Sequence, residues 1–194
     1  MTTAGPAGPL RVRIATGDDA AAIAAIYAPV VRDTPISFEL EPPDVETVRR
    51  RVLDTLKLRP WLVAERDGVL LGYAYAASHR ERAAYQWCVE TSVYIAAAAR
   101  RQGIGRALYA ELLPLLARQG YVHAYAGITL PNAASVGLHE SLGFLPIGVY
   151  RSIGFKQGVW HDVGWWDLPL TGAELPRQPT APVPYALVVP PHPA

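Results

Sequence analysis

Apolar residues return at helical spacing in four stretches of this chain, while the segments between them alternate or run on as strands do. Arg11 to Ala15 reads as a first strand. Thr16-Gly17-Asp18-Asp19 then offers N-cap chemistry for a helix over 20–30. Pro35 to Pro43 is a loop carrying Phe38. Asp44 caps a second helix over 45–58, which places Val45, Val48, Val52 and Leu56 on one face. Trp61 to Glu65 and Val69 to Ala77 form two strands joined by a hairpin whose signal is Asp67-Gly68. After a polar, basic connection over 78–84, Tyr85 to Ile95 predicts one long strand. The pattern over 104–118 predicts a helix that closes at Gly120 and is kinked by Pro114. Tyr121 to Ile128 is a further strand. A short helix opens at Pro131-Asn132 and ends at Gly143. Phe144 to Tyr150 and Val159 to Leu168 are the last strands. Residues 1–10 read as a loose leader and 171–194 as a Pro-rich tail, laid on the surface or partly disordered, which leaves one domain over 11–170. Strands follow one another early and alternate with helices later. The expected class is α/β (α+β): a mixed sheet covered by helices on both faces.

Composition narrows the setting. With 194 residues, 51% of them apolar, the chain can bury a sizeable core. Its unbroken apolar runs, such as Ala20 to Val31, fall short of the ~20 residues that cross a bilayer. Met1 to Leu10 lacks the charged and apolar regions of a signal peptide. A formal charge of +1 argues against nucleic acid as the main partner. The single cysteine, Cys88, excludes an intrachain disulfide and a cysteine-based metal cluster, and reads as a small buried hydrophobe. The expectation is a cytoplasmic protein that engages neither membrane nor nucleic acid.

The densest chemistry lies at Arg100-Arg101-Gln102-Gly103-Ile104-Gly105-Arg106, between a strand and a helix. Amides at a helix N-terminus have no intrahelical partner, and the helix dipole places partial positive charge there, so such a turn can cradle a phosphate. Gly103 and Gly105 would let the backbone approach an anion, and the arginines add charge. A P-loop is excluded because no Gly-x-x-x-x-Gly-Lys run exists. A dinucleotide fingerprint is excluded because Leu108 stands where its third Gly belongs.

The spacing Arg-x-x-Gly-x-Gly resembles the pyrophosphate loop of the GNAT acyltransferases, which hold acetyl-CoA. Other segments, in order, resemble the phosphinothricin N-acetyltransferase branch of that superfamily. They are Pro60-Trp-Leu-Val-Ala-Glu65, Ala84-Tyr-Gln-Trp87, Glu90-Thr-Ser-Val-Tyr94, Leu130-Pro-Asn132, His139-Glu-Ser-Leu-Gly143, Gly154-Phe-Lys156 and Trp160-His-Asp-Val-Gly164. The resemblance implies a GNAT fold, with a mostly antiparallel sheet of about seven strands, and acetyl-CoA as donor. Val93, Tyr94 and Ile95 would offer backbone groups to the pantetheine arm as if it were an added strand. Arg100, Arg101, Gln102, Gly103, Ile104 and Gly105 would hold the pyrophosphate. Asn132 would bond the pantetheine amide region, and is also an ordinary N-cap. Ser141 would lie close to the cofactor, or is a helix residue with no ligand.

The same resemblance implies Glu90 as general base, because only a neutral amine attacks a thioester. Alternation puts Glu90, Ser92 and Tyr94 on one face of their strand. The competing reading of Glu90 is an edge-strand ion pair. His139 stands where many GNAT enzymes carry a Tyr that protonates the leaving thiolate, and lies two turns beyond Asn132 on the same helix face. It is implied as general acid or proton relay, against a structural histidine at a helix–sheet contact. The thioester is already activated, so no metal or redox cofactor is expected. A backbone N–H of the cofactor strand would meet the oxyanion. For the acceptor, Phe38, Arg80, Arg82 and Tyr85 match family positions, although Arg80 replaces a Lys and His79 a Trp. His161-Asp162, in an aromatic strand, reads as packing or a dimer contact, and the resemblance implies a homodimer. The expected function is N-acetyl transfer to a small amino-acid-like amine of the phosphinothricin, methionine sulfone or methionine sulfoximine kind. The alternatives are another amine, such as a protein N-terminus, or a non-catalytic acetyl-CoA-binding module.

Overall fold

The computed structural model describes residues 8–172, 175 and 177–188. Seven strands form one sheet in the order β1-β2-β3-β4-β5-β7-β6. They are β1 (Arg11–Ile14), β2 (Trp61–Arg66), β3 (Val69–Ser78), β4 (Cys88–Ile95), β5 (His123–Leu130), β6 (Leu145–Lys156) and β7 (Val159–Pro169). Only β4 and β5 run parallel; every other neighbouring pair is antiparallel. The helices are α1 (Ala20–Asp33), α2 (Val45–Leu56), α3 (Ile104–Gln119), α4 (Ala133–Ser141) and the single turn α5 (Tyr185–Val188).

Each face of the sheet has its own core. On one face α3 lays Leu108, Leu112 and Leu116 over Leu62, Ala74, Val89, Ala124 and Ala126. The spacing of those leucines is the helical period, and each fully buried one is worth roughly 1.5–3 kcal/mol. On the other face α1 and α2 bring Ile23, Ile26, Val48 and Val52 onto Trp61, Val63 and Tyr73. The hairpin between β2 and β3 turns at Asp67 and Gly68, both at positive φ (52° and 77°), as a two-residue turn matched to strand twist requires.

Two elements differ most from the sequence pattern. The long strand expected from Tyr85 begins only at Cys88, and Ala83–Tyr85 is a 3-10 turn closed by Tyr85 N–H to the Arg82 carbonyl at 2.9 Å. The reason is pairing: β3 ends opposite Val89, and β5 begins opposite Cys88, so earlier residues have no neighbouring strand. The strand expected to stop at Tyr150 continues to Lys156. An irregularity between Tyr150 and Gly154, with Ser152 at φ 49°, breaks its alternation but not its pairing with β7. Helix α3 keeps the expected span, running through Pro114 to Gln119 and closing at Gly120.

The segment after residue 171 lies partly against the domain. Trp87 Nε1 donates to the Thr180 carbonyl at 2.8 Å. Buried Gln119 donates to the carbonyls of Leu58 and Val183 at 2.7 and 2.8 Å, joining the tail to the loop after α2. Among the described residues no helix is long and apolar enough to cross a membrane.

Candidate active site

Strands β4 and β5 pair over only three positions, Cys88 to Glu90 against His123 to Tyr125. Beyond them the strands splay. The β5 side of Ser92 to Ile95 is left without a strand partner, while their other side stays paired with β3. A narrow cleft opens there, of about 60 Å³ and lined by Thr91, Ser92, Val93, Tyr94, Asn132, Ser135 and His139 among others. An exposed row of strand amides and carbonyls beside a cleft is what an extended, amide-bearing ligand pairs with. The side chains of Val93 and Ile95 pack on the α3 core, and Tyr94 stacks edge-on against Tyr27 with ring centroids 5.0 Å apart. These three residues therefore have only backbone to offer.

The splayed strand leads through a 3-10 turn, Ala97–Ala99, to the start of α3. Gly103 is the N-cap at φ 77°, and Arg101 also adopts positive φ, at 62°. Arg100, Arg101 and Gln102 are exposed, and Gln102 is held by Arg66 at 3.2 Å and by the Ala98 carbonyl at 3.2 Å. The two glycines do different work. A side chain at Gly103 would meet nothing, so its value is conformational. A Cβ at Gly105 would lie 2.8 Å from Leu138 Cδ2, so Gly105 also lets α4 close on α3. Ile104 is 1% exposed and can contribute only its amide. Arg106 donates to Ser141 Oγ at 2.9 Å, which ties the far end of α4 to the cradle. Ser141 in turn donates to the Leu138 carbonyl at 2.7 Å.

Asn132 caps α4, its Oδ1 accepting from Ser135 N–H at 3.1 Å. The cap uses the side-chain oxygen, so the amide nitrogen remains for a ligand in the cleft. His139 is 3% exposed. Its Nδ1 lies 2.8 Å from the Ser135 carbonyl, which can only accept, so Nδ1 carries the proton. Nε2 is then an acceptor, and the Tyr109 hydroxyl donates to it at 2.9 Å. Thr91 Oγ1, donating to the Tyr125 carbonyl at 3.3 Å, lies 3.2 Å from the same hydroxyl. If His139 takes a second proton, Nε2–H donates to Tyr109 and Tyr109 turns to Thr91, so the same atoms serve both states. Burial lowers the His139 pKa, partly opposed by the bond to Ser135, and the resting imidazole is neutral. Sequence reasoning missed Tyr109 and Thr91, which look like core positions of α3 and β4. It also missed Ser135, whose available signal was its place one helical turn before His139.

Glu90 projects on the face of β4 opposite Thr91. Burial raises its pKa, and Arg80 opposes the rise. His79 stands beside it, its Nδ1 3.8 Å from Glu90 Oε2. Arg80, Arg82 and Tyr85 gather around one open cavity of about 470 Å³ with Ser78, His79 and Glu81. The Arg80 guanidinium stands 5.9 Å from the Trp165 ring centroid, a cation–π contact. A second cavity of about 210 Å³ lies between His79, Tyr125, Tyr150 and Trp165. Phe38 is not brought to this cluster. It lies on Gly154 and 6.3 Å from the His161 ring, four residues along β7 from Trp165, or about 13 Å of strand. Buried Lys156 holds the loop that carries Phe38, donating to the carbonyls of Val31 and Ser37, both at 2.6 Å. His161 and Asp162 serve packing of the same hairpin, through the Lys156 carbonyl at 3.0 Å and Ser152 N–H at 2.7 Å.

Known proteins carry the same plan. The family model of the GNAT acetyltransferase domain matches residues 12–165. The chain is 40% identical over 174 residues to phosphinothricin N-acetyltransferase of Streptomyces viridochromogenes, covering 88% of this chain and 92% of that one. It is 34% identical over 163 residues to the L-methionine sulfoximine/L-methionine sulfone acetyltransferase of Salmonella typhimurium, covering 83% and 95%. The solved phosphinothricin acetyltransferase of Sinorhizobium meliloti, in complex with acetyl-CoA, superposes with a TM-score of 0.83. That pair shares 33% identity over 90% of this chain and 95% of the other. With the seven-stranded splayed sheet and the capped cradle, these likenesses establish that the chain belongs to the phosphinothricin N-acetyltransferase branch of the GNAT superfamily and is an acetyl-CoA-dependent N-acetyltransferase.

Proposed function

We propose that the enzyme acetylates the amine of a small amino-acid-like acceptor of the phosphinothricin or methionine sulfoximine kind. The observation that carries this reading is the gathering of Arg80, Arg82 and Tyr85 around a cavity on the Glu90 side of the splayed strands. Two guanidinium groups there suit an acceptor that bears a carboxylate and a second oxyanion or polar oxygen. They disfavour a polyamine.

Acetyl-CoA supplies the activated acyl group, and the residues do the rest. The free edge of Val93 to Ile95 aligns the donor, Asn132 meets its amides, and the Gly103–Gly105 helix start with Arg100, Arg101 and Gln102 holds its diphosphate. Ser141 acts on the donor only through Arg106. Glu90, with its raised pKa, takes a proton from the acceptor ammonium. His139, neutral at rest, acts as a relay to the leaving sulfur through Tyr109 and Thr91 rather than as a standing acid. Phe38 is best suited to covering an acceptor from the loop side or from a second subunit.

The enzyme is proposed to work in the cytoplasm as a homodimer. Edge strand β6 exposes Leu145, Ile147, Val149, Tyr150, Ile153 and Phe155, an apolar row too long for a lone edge. The functional test is thiol release from acetyl-CoA over a panel of amino acid analogues, with Glu90→Ala alongside. Turnover with phosphinothricin or methionine sulfone that falls at least a hundredfold in Glu90→Ala (roughly the scale of a general base) supports the reading. Wild-type turnover in Glu90→Ala removes Glu90 as base, and activity on none of the analogues removes the acceptor class.

A further inference from the structure

His79 stands where the resemblance leads one to expect Trp, and its surroundings give that change a chemical meaning. Its ring is clamped flat on Tyr125, centroids 4.4 Å apart at 19°, and edge-on against Trp165 at 5.4 Å and 79°. The clamp aims Nδ1 inward, where it is buried without a hydrogen-bond partner among the described residues, 3.8 Å from Glu90 Oε2. Burying a polar nitrogen without a partner is costly, so this nitrogen is open to a donor such as the protonated Glu90 carboxyl beside it.

We propose that His79 is a positioning residue that acts through Glu90, giving the base a second place to put a proton. The inference rests on Glu90 being the base. Proton bookkeeping explains the need. An ammonium acceptor loses two protons on becoming an amide: one before attack, one after the N–C bond forms and the C–S bond breaks. One ends on the departing thiol and the other must reach solvent. A lone carboxylate holds one proton at a time. With His79 beside it, Glu90 passes its proton to the imidazole and returns to the carboxylate form, leaving a carboxylate–imidazolium pair that discharges to solvent. No electrons change hands. A shift of about 0.6–1 Å, or one bridging water, brings the 3.8 Å pair into hydrogen-bonding range.

The groups facing His79 are consistent with this. Burial first, and then Arg80 on its own segment, lower the His79 pKa and keep the resting imidazole ready to accept. Glu90 comes from β4, Tyr125 from β5, Tyr150 from β6 and Trp165 from β7. Behind Tyr125, the pair of His123 Nδ1 and Asp167 Oδ2, at 3.2 Å, is self-contained. Glu81, two residues on, shares the open cavity with His79, and Glu90 is the carboxylate that stands 3.8 Å from its ring nitrogen.

The test measures kcat/KM for phosphinothricin against pH in wild type, His79→Phe, His79→Gln, Glu90→Gln and the double variant Glu90→Gln/His79→Phe. His79→Phe keeps the stack, and His79→Gln keeps a polar group that cannot hold a proton. Each is expected to lose about tenfold at neutral pH with the KM for acetyl-CoA unmoved, and its acid limb should follow one proton instead of two. In the Glu90→Gln background His79→Phe should cost nothing more. The His79 imidazole pKa, followed by NMR, should fall when Glu90 becomes Gln, a readout that does not need the His79 variants to fold. The proposal is overturned by unchanged turnover and acid limb in both His79 variants, by an equal loss in the Glu90→Gln background, or by an imidazole pKa indifferent to Glu90. Wild-type turnover in Glu90→Gln would instead show that Glu90 is not the base, a separate failure.

Discussion

Removing one oxygen atom tests the account of His139. In Tyr109→Phe the ring stays, fully buried at 0% exposure, with its edge contacts to His139 and Phe144 at 5.3 and 6.0 Å. What goes is the hydroxyl between His139 Nε2 at 2.9 Å and Thr91 Oγ1 at 3.2 Å. Thr91 keeps the Tyr125 carbonyl, so its loss is small. His139 Nε2 becomes a buried acceptor with no donor, a state that costs about 1–3 kcal/mol. For a chain of this size each kcal/mol moves Tm by about 2–4 °C, so the expected fall is roughly 2–12 °C. Urea unfolding should show the same loss with an unchanged m-value. If the hydroxyl also carries protons, kcat should drop at saturating acetyl-CoA while acetyl-CoA binding, read by calorimetry, holds. A stability change within about 0.5 kcal/mol, the scatter of neutral substitutions, together with wild-type kcat would refute both the tautomer assigned to His139 and the relay built on it.

Three further outcomes follow from the same geometry. Lys156→Met should cost about 3 kcal/mol in urea unfolding, because the carbonyls of Val31 and Ser37 each lose a charge-assisted bond, and should loosen the Phe38 loop to limited proteolysis. Gly105→Leu should lower Tm and weaken acetyl-CoA binding, since it forces α4 off α3, whereas Gly105→Ala should be milder because only the mobile end of Leu138 must give; equal effects would contradict the packing role. Stability should fall with acid below about pH 6.5, the ordinary histidine value, and His139→Gln should flatten that slope. The sign follows because burial lowers the folded pKa: in this window the unfolded chain binds the proton and the native state does not, so stability rises with pH.

Much of the plan was legible along the chain because it depends on local chemistry. Helix caps, the Asp67-Gly68 turn, the glycine after α3 and the cradle are each set by a few adjacent residues, and they emerged where the pattern put them. Glu90 and His139 were nominated by matching motifs, and alternation alone separated Glu90 from Thr91 across β4. Errors arose where neighbours in space decide. Tyr85 has strand-like character but no strand to pair with, and β6 continues past Ser152 because β7 holds it.

The sequence by itself determined most of the elements, the glycine-marked strand-to-helix turn before α3 and the family, since these rest on short spacings and on residues in fixed order. Only the tertiary structure decided which groups stand beside His139 and Glu90. Tyr109 reaches His139 from another helix, and His79 reaches Glu90 across an antiparallel pair. Gly105 has a packing role beside Leu138 that its place in the chain does not show. In each case the partner is distant in the chain, and a side chain's hydrogen bonds, burial and charge state are set by whatever folds against it.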